Sequence, residues 1–281
     1  MTQVISRPVA TPAAPPLTPA HGRLRRLGPG RAIPGGRLAG PLLIVAAWSA
    51  ASAAGVLDDR ILPAPWTIWH TTTDLISSGR LQDNLLTSLQ RAGLGFTFGL
   101  TAGLVLALIS GLSRTGEALV DGPVQLKRSI PSLGLIPLMI LWLGIGEGFK
   151  VVIIALGVAI PIYINTHVSL IGIDRRYVEL AEVLRLSRTR FLRSVVFPAA
   201  LPGFLTGLRL AVTGSWLSLV VIEQINATSG IGYMMYQAQN YGQSDIIIVG
   251  LIVYGVFGLA SDALVRMIGK RVLSWQQTLG S

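Results

Sequence analysis

The sequence predicts an all-α membrane protein with six transmembrane helices. Three observations carry that prediction. Of 281 residues, 51% are hydrophobic and only 13% are charged, about half the charged share of a soluble globular domain. Apolar stretches of about twenty residues, enough to span a bilayer as helix, recur along the chain. The basic residues between those stretches collect in alternate segments. A soluble domain this apolar would present sticky surface to water, and a bilayer removes that difficulty.

Residues 1–37 are rich in Pro, Ala and Arg and lack any helical or strand period. They read as a disordered basic tail. A cleaved secretion signal does not fit, because the apolar run starts late and no small-residue cleavage site is evident. The tail is expected to stay on the protein.

The first span is expected over 39–57, followed by a short amphipathic stretch near 65–78 on the outer surface. The second covers 87–112. Its Gly95, Gly99 and Gly103 recur every fourth residue and form a face for close helix contact. The third, 122–143, holds Pro123, Pro131 and Pro137 and should bend or break. Irregular backbone at membrane depth survives only against protein or a cavity, so this span is expected to face other helices. The fourth is 150–170, with Pro161 inside it. The fifth is 200–222 and the sixth 245–268. The chain thus divides into the tail 1–37, a first helix and outer segment 38–80, a main helical domain 81–270 and a tail 271–281.

Charge sets the expected orientation, because cytoplasmic loops accumulate Lys and Arg. With the N-terminus inside, the inner segments hold Arg7, Arg23, Arg25, Arg26, Arg31 and Arg37. They also hold Arg114, Lys127 and Arg128, then Arg175, Arg176, Arg185, Arg188, Arg190 and Arg193, then Arg266, Lys270 and Arg271. Outside fall Arg60, Arg80, Arg91 and Lys150, and Arg209 lies within the fifth span. Both termini are therefore expected in the cytoplasm of a multi-pass protein of the plasma membrane, in contact with lipid. The net charge of +10 reflects topology, and nucleic acid is not an expected partner.

Chemistry is sparse. There is no cysteine, which excludes disulfides and thiolate metal sites. His21, His70 and His167 are far apart and show no zinc-binding spacing. No GxxxxGK[ST] loop occurs, so the usual ATP site is missing. Gly93-x-Gly95 and Gly144-x-Gly146 lie in or beside membrane helices and follow no strand, unlike a dinucleotide fingerprint. No nucleophile and base pair at membrane depth. The chain reads as no enzyme, with neither metal nor cofactor of its own.

The informative segment is 172–209. Tyr177, Leu180, Ala181 and Leu184 recur at i, i+3, i+4 and i+7 and make one apolar face. Arg175, Glu179, Glu182 and Arg185 fill much of the rest, with Glu182 and Arg185 spaced to pair. Such a helix can lie on the membrane, insert into a groove of a cytoplasmic partner, or remain a solvated loop.

Glu179-Leu180-Ala181, followed by Leu184 and later by Leu201-Pro202, resembles the EAA loop of ABC importer permeases. The likeness extends over 60–270. It includes Ile61-Leu62-Pro63-Ala64-Pro65, Leu108 to Arg114, Ile130-Pro131 through Ile136-Pro137-Leu138, Leu141 to Glu147, Pro161 to Thr166 and Ser229-Gly230-Ile231-Gly232-Tyr233. Together these resemble the nitrate, taurine and alkanesulfonate permease group, nearest its aliphatic sulfonate branch. The resemblance implies a type I importer membrane domain and import of a small organic anion. It implies a homodimer of permeases, two ATP-binding subunits that hold ATP and Mg, and an extracytoplasmic solute-binding protein.

It also implies that 172–200 is the coupling loop, with Tyr177, Glu179, Leu180, Ala181, Leu184, Arg185 and Pro202 at or near the ATPase contact. The family pattern has Glu-Ala-Ala and a glycine six residues after the Glu, where this chain has Leu180 and Arg185. A left-handed residue other than glycine costs roughly 1–2 kcal/mol. Either the turn shifts toward Leu186-Ser187 or the partner holds Arg185.

Within the spans, Arg209 either draws an anion into the path or reaches the cytoplasmic interface. Ser215, Trp216 and Ser218 are candidates for the path or for packing. Glu147 and Lys150 are expected in the outer loop after the third span, and Glu223 at the outer end of the fifth. Docking, gating and interface anchoring are open to all three. His70 and His167 are expected to be interfacial or packed. Rival readings are an ATP-independent channel, an intramembrane enzyme and a membrane anchor for cytoplasmic proteins. The first needs no 172–209 loop, the second lacks a site, and the third needs neither proline-broken helices nor glycine stripes. Taurine, nitrate, bicarbonate or a vitamin-type precursor are the alternative substrates.

Overall fold

The computed structural model describes residues 36–274. The expected tail 1–37 lies outside these but for its last two residues, which begin the first helix; the end of the chain beyond 274 lies outside as well. Contacts divide the chain into Met1–Ile44 and Val45–Ser281. Helix α1, Gly36–Ala53, crosses that boundary. The remaining helices belong to the second unit.

Among the described residues, four helices are long and apolar enough to cross a bilayer. They are α3 (Arg80–Leu112), α6 (Glu147–Ile171), the continuous stretch Arg188–Asn226 and α11 (Ser244–Val272). The stretch Arg188–Asn226 comprises α8 (Arg188–Phe191), a π-helical turn (Leu192–Val196) and α9 (Phe197–Asn226). The turn precedes Pro198, which has no N–H to complete an ordinary ladder. The apolar part of α1, Ala39–Ala53, is shorter than the others. The six expected spans thus resolve into four full-length helices, one broken pair and a short first helix.

The expected break in the third span is present, although the helices around it begin earlier than the expected 122–143. Helix α4 (Arg114–Ser129) and the segment Ser132–Leu143, a 3₁₀ turn followed by α5 (Ile136–Leu143), meet at 90°. The proline that breaks the helix is Pro131. Pro123 sits inside α4 without ending it, and Pro137 lies in the first turn of α5, where its missing N–H has no partner to lose. Residues 122–129 therefore extend an amphipathic helix, and α5 is only eight residues, about 12 Å of rise.

Helix α6 is the centre of the bundle and packs on α3 along one side and α9 along another. It contributes Phe149, Ile153, Ile154, Val158 and Ile162 to the main core. The expected glycine face is the α3–α6 contact. A Cβ built on Gly99 would lie 2.5 Å from the Ala155 carbonyl, and one on Gly103 would lie 2.5 Å from that of Ala159. Only glycine lets the two backbones approach this closely.

Two shorter helices flank the spans. Helix α2 (Pro65–Ser77) packs on α11, and α10 (Ile231–Asn240) fits between α9 and α11. Between α6 and α8 lies α7 (Arg175–Val183), started by Asp174, whose carboxylate accepts the Arg176 N–H at 2.9 Å.

Candidate functional site

Helix α7 follows the last turn of α6 and presents Tyr177, Leu180, Val183 and Leu184, each more than half exposed, while Ala181 is buried. The apolar face expected from the spacing is therefore present, with Ala181 turned inward and the larger residues outward. Arg175 and Glu179 pair along the helix at 3.5 Å. Glu182 and Arg185, expected to pair, do not, because the backbone turns away at Arg185.

Arg185 has φ +48°, the left-handed region, and is the one non-glycine residue with positive φ among those described. The Arg185 N–H donates to the Glu182 carbonyl at 3.0 Å and the Leu186 N–H to that of Ala181 at 2.9 Å. These two bonds form a Schellman helix end, which usually takes glycine at this position. The turn does not shift to Leu186-Ser187. Ser187 instead caps α8, accepting the Arg190 N–H at 3.4 Å. Pro202 stands apart from α7, inside α9, where it lines a small cavity with Leu205, Thr206, Arg209 and Arg266.

At the opposite end of α6 the structure gathers four charged residues. The Arg91 guanidinium, 4% exposed, donates through Nε and Nη2 to both oxygens of Glu147 at 2.5 and 2.8 Å. Its Nη1 donates to Glu223 at 2.8 Å and to the Ser229 carbonyl at 2.5 Å. Lys150 donates to Glu147 at 2.8 Å. The Glu223 carboxylate is fully buried and also accepts from Ser88, from the Tyr254 hydroxyl at 2.9 Å and from the Gly232 N–H at 2.9 Å.

These bonds tie α3, α6, α9, α10 and α11 together. Two cations and two carboxylates balance in charge, and the bonds satisfy nearly every polar atom, which is what makes burial of ions tolerable. This placement corrects three expectations. Glu147 and Lys150 belong to the first turn of α6 instead of a loop, and Lys150 is buried. Arg91 is enclosed within the bundle. Glu223 has no surface with which to touch a partner protein. Charges beside apolar spans are a signal that the sequence offers; their convergence from three helices is not.

A second cluster lies where α9 begins and α11 ends. Arg209 pairs with Asp262 at 2.7 Å, and Asp262 also meets Arg266. Sequence reasoning singled out Arg209 but missed Asp262. Trp216 donates its indole N–H to Ser261 at 2.9 Å and packs against Tyr254 and Phe257. Ser215 and Ser218 are buried, and the Ser215 hydroxyl donates to its own helix at Val212. Ser215 and Trp216 border an apolar cavity of about 410 Å³ between α3, α9 and α11. His167 is buried, stacks on Tyr163 and lies 3.1 Å from Ser110. Among the described residues no group of His, Cys, Asp or Glu is placed to hold a metal.

Long apolar helices, glycine-mediated packing, buried ion pairs and an exposed amphipathic helix after α6 define a multi-helix membrane protein. The chain belongs to the family described as "binding-protein-dependent transport system inner membrane component", which matches residues 99–274. It acts as the permease subunit of an ABC importer. It is 43% identical over 235 residues to the putative aliphatic sulfonates transport permease protein SsuC of Escherichia coli (strain K12), covering 84% of this chain and 89% of that one. It is 38% identical over 238 residues to the protein of the same description from Bacillus subtilis (strain 168), covering 85% and 86%. Among solved structures, an amino acid ABC transporter with histidines superposes with TM-score 0.58 at 19% identity, over 72% of this chain and 96% of that one. That likeness speaks to the fold, a type I importer membrane domain.

Proposed function

We propose that this chain forms the translocation path for a small organic oxyanion, aliphatic sulfonates first, and that a partner subunit drives it by ATP hydrolysis. The observation that carries the coupling is the exposed apolar face of α7, Tyr177, Leu180 and Leu184, beside Glu179 and ended by the strained turn at Arg185. An apolar helical face of this kind fits a groove on another protein. The substrate rests on the sulfonate permeases it resembles.

The working unit is two copies of this chain, two ATP-binding subunits and an extracytoplasmic solute-binding protein. ATP and Mg²⁺ reside on the ATP-binding subunits; this chain has no ATPase site and needs no cofactor. Both termini are cytoplasmic, so α7 faces the cytoplasm and the Arg91–Glu223 cluster faces outward. Arg209 acts near the inner end of the path, with Ser215 and Trp216 further along it, and Glu223 braces the outer end from within the bundle.

The coupling is tested with Glu179→Lys in the assembled transporter. Loss of ATPase stimulation by the binding protein, together with loss of uptake, is the expected result. Unchanged stimulation and uptake would remove α7 from the coupling role.

A further inference from the structure

Glu147 differs from the residues it binds. Its side chain is 59% exposed, whereas those of Arg91 and Lys150 are 4% and 5% exposed. A clamp that only holds helices together needs no exposed member. Glu223 already supplies one buried counter-charge to Arg91. One buried positive charge therefore depends on a carboxylate at the surface.

The geometry around that carboxylate is that of a bound oxyanion. One oxygen takes Nε of Arg91 at 2.5 Å, and the other takes both Nη2 of Arg91 and Nζ of Lys150 at 2.8 Å. A fork from arginine with a second cation is a strong way to hold a carboxylate, phosphate or sulfonate. The first turn of α6, a 25-residue helix, adds favourable potential for an anion. Beside the carboxylate lies a cavity of about 330 Å³, bordered by Thr87, Gln90, Arg91, Glu147 and Ser229 among others. Cavities of about this size accept small ligands.

We propose that Arg91 and Lys150 form an oxyanion site at the outer mouth of the permease, with Glu147 as its built-in occupant, which an incoming sulfonate-type solute displaces. The proposal rests on the reading of the chain as an oxyanion permease. With Glu147 in place the cluster is neutral. With Glu147 swung into water, Arg91, Lys150 and Glu223 leave one net positive charge beside the cavity, which Arg91 borders. The exchange is of one anion for another and leaves no buried cation unpaired at either end.

The chain has no cysteine, so Thr87→Cys places one thiol at the cavity. The Thr87 hydroxyl bonds only to the Asp83 carbonyl of its own helix, so the change disturbs little. In the assembled transporter in zwitterionic nanodiscs, labelling of this chain is compared between an anionic (2-sulfonatoethyl) and a cationic (trimethylammonioethyl) methanethiosulfonate. Each rate is divided by the same reagent's rate with a free thiol, because the cationic reagent is intrinsically the faster, and the two normalised rates are expected to be comparable with Glu147 present. Adding Glu147→Gln should raise the anionic-to-cationic ratio about ten-fold, as a net charge a few ångströms away implies. Ethanesulfonate should slow the anionic reagent saturably, and further adding Lys150→Gln should abolish both effects.

A ratio indifferent to Glu147→Gln overturns the proposal and leaves a purely structural clamp. Protection by ethanesulfonate that is lost in anionic-lipid nanodiscs overturns it in favour of a lipid headgroup. Should Glu147→Gln not assemble, Thr87→Cys alone decides: ethanesulfonate must slow an uncharged methanethiosulfonate more than equal chloride does, and equal rates refute the site. Labelling requires no ATP turnover. Charge-selective labelling without uptake therefore sinks the transport reading alone, and uptake with charge-blind labelling sinks this site alone.

Discussion

Arg91 on α3 and Glu223 on α9, 132 positions apart, meet at 2.8 Å with both side chains enclosed by protein. Glu223 also collects Ser88, Tyr254 and the Gly232 N–H, so one carboxylate holds four helices in register. Truncating one partner of a buried ion pair strands the other, at a cost of about 3–5 kcal/mol. Glu223→Ala should lower the stability of the purified permease by that amount, read from its thermal unfolding midpoint. Tyr254→Phe removes one bond to the same carboxylate and should cost about 1.5–3 kcal/mol. Equal midpoints for wild type and Glu223→Ala would mean that the cluster does not hold the bundle.

The α3–α6 contact makes a contrast within one helix. At Gly99 a side chain would meet the Ala155 carbonyl, whereas a Cβ on Gly93 has nothing within 4 Å. Gly99→Leu should destabilise by about 1–3 kcal/mol or more, the range for overpacking. Gly93→Ala should be neutral or slightly favourable, since alanine suits a helix better. Comparison of the two in one thermal unfolding series checks this, and equal effects would contradict the packing.

Arg185 closes α7 with a positive φ that glycine adopts freely. Arg185→Gly should stabilise the loop by about 1 kcal/mol, and Arg185→Val should weaken it. Limited proteolysis of residues 172–200 in the isolated permease reads this: slower cleavage for Gly and faster for Val. Faster cleavage of Arg185→Gly would mean that the arginine side chain makes a stabilising contact of its own.

The exposed face of α7 has no packing to lose. Leu180→Asp and Leu184→Asp should leave the unfolding midpoint of the isolated permease within about 0.5 kcal/mol of wild type, as expected for surface changes. In the assembled transporter they should reduce ATPase binding and binding-protein-stimulated ATPase activity several-fold. A pull-down with the ATP-binding subunit checks the first effect directly. Undiminished capture would place the contact elsewhere on the chain.

Much of this fold was legible because membrane helices announce themselves locally. The apolar runs that became α3, α6, α9 and α11 appear in the sequence, and the Gly95, Gly99 and Gly103 spacing foretold a packed face. The prolines were legible only as a group. That Pro131 breaks the helix while Pro123 and Pro137 do not depends on which carbonyls lack a donor, and the 90° bend follows from that. On α7 the period of Tyr177, Leu180, Ala181 and Leu184 gave the apolar face, and the missing glycine marked Arg185 as the strained position. The charged cluster was not legible. Arg91, Glu147, Lys150 and Glu223 each resemble a boundary charge, and only tertiary contact turns them into a buried network. Asp262 went unnoticed for the same reason: its partner Arg209 is 53 positions away.

As proposed, this chain carries a sulfonate-type oxyanion across the membrane on energy supplied by another subunit. The most direct measurement is uptake of a labelled alkanesulfonate into liposomes containing this chain, its ATP-binding subunit and its solute-binding protein. Uptake should require all three components and internal or external ATP according to orientation, and should stop with Glu179→Lys. Uptake that persists without ATP or without the ATP-binding subunit would contradict it and identify a channel. Absent sulfonate uptake with ATPase activity still stimulated by the binding protein would contradict the substrate, and would direct the same assay to taurine, nitrate, bicarbonate or a vitamin-type precursor.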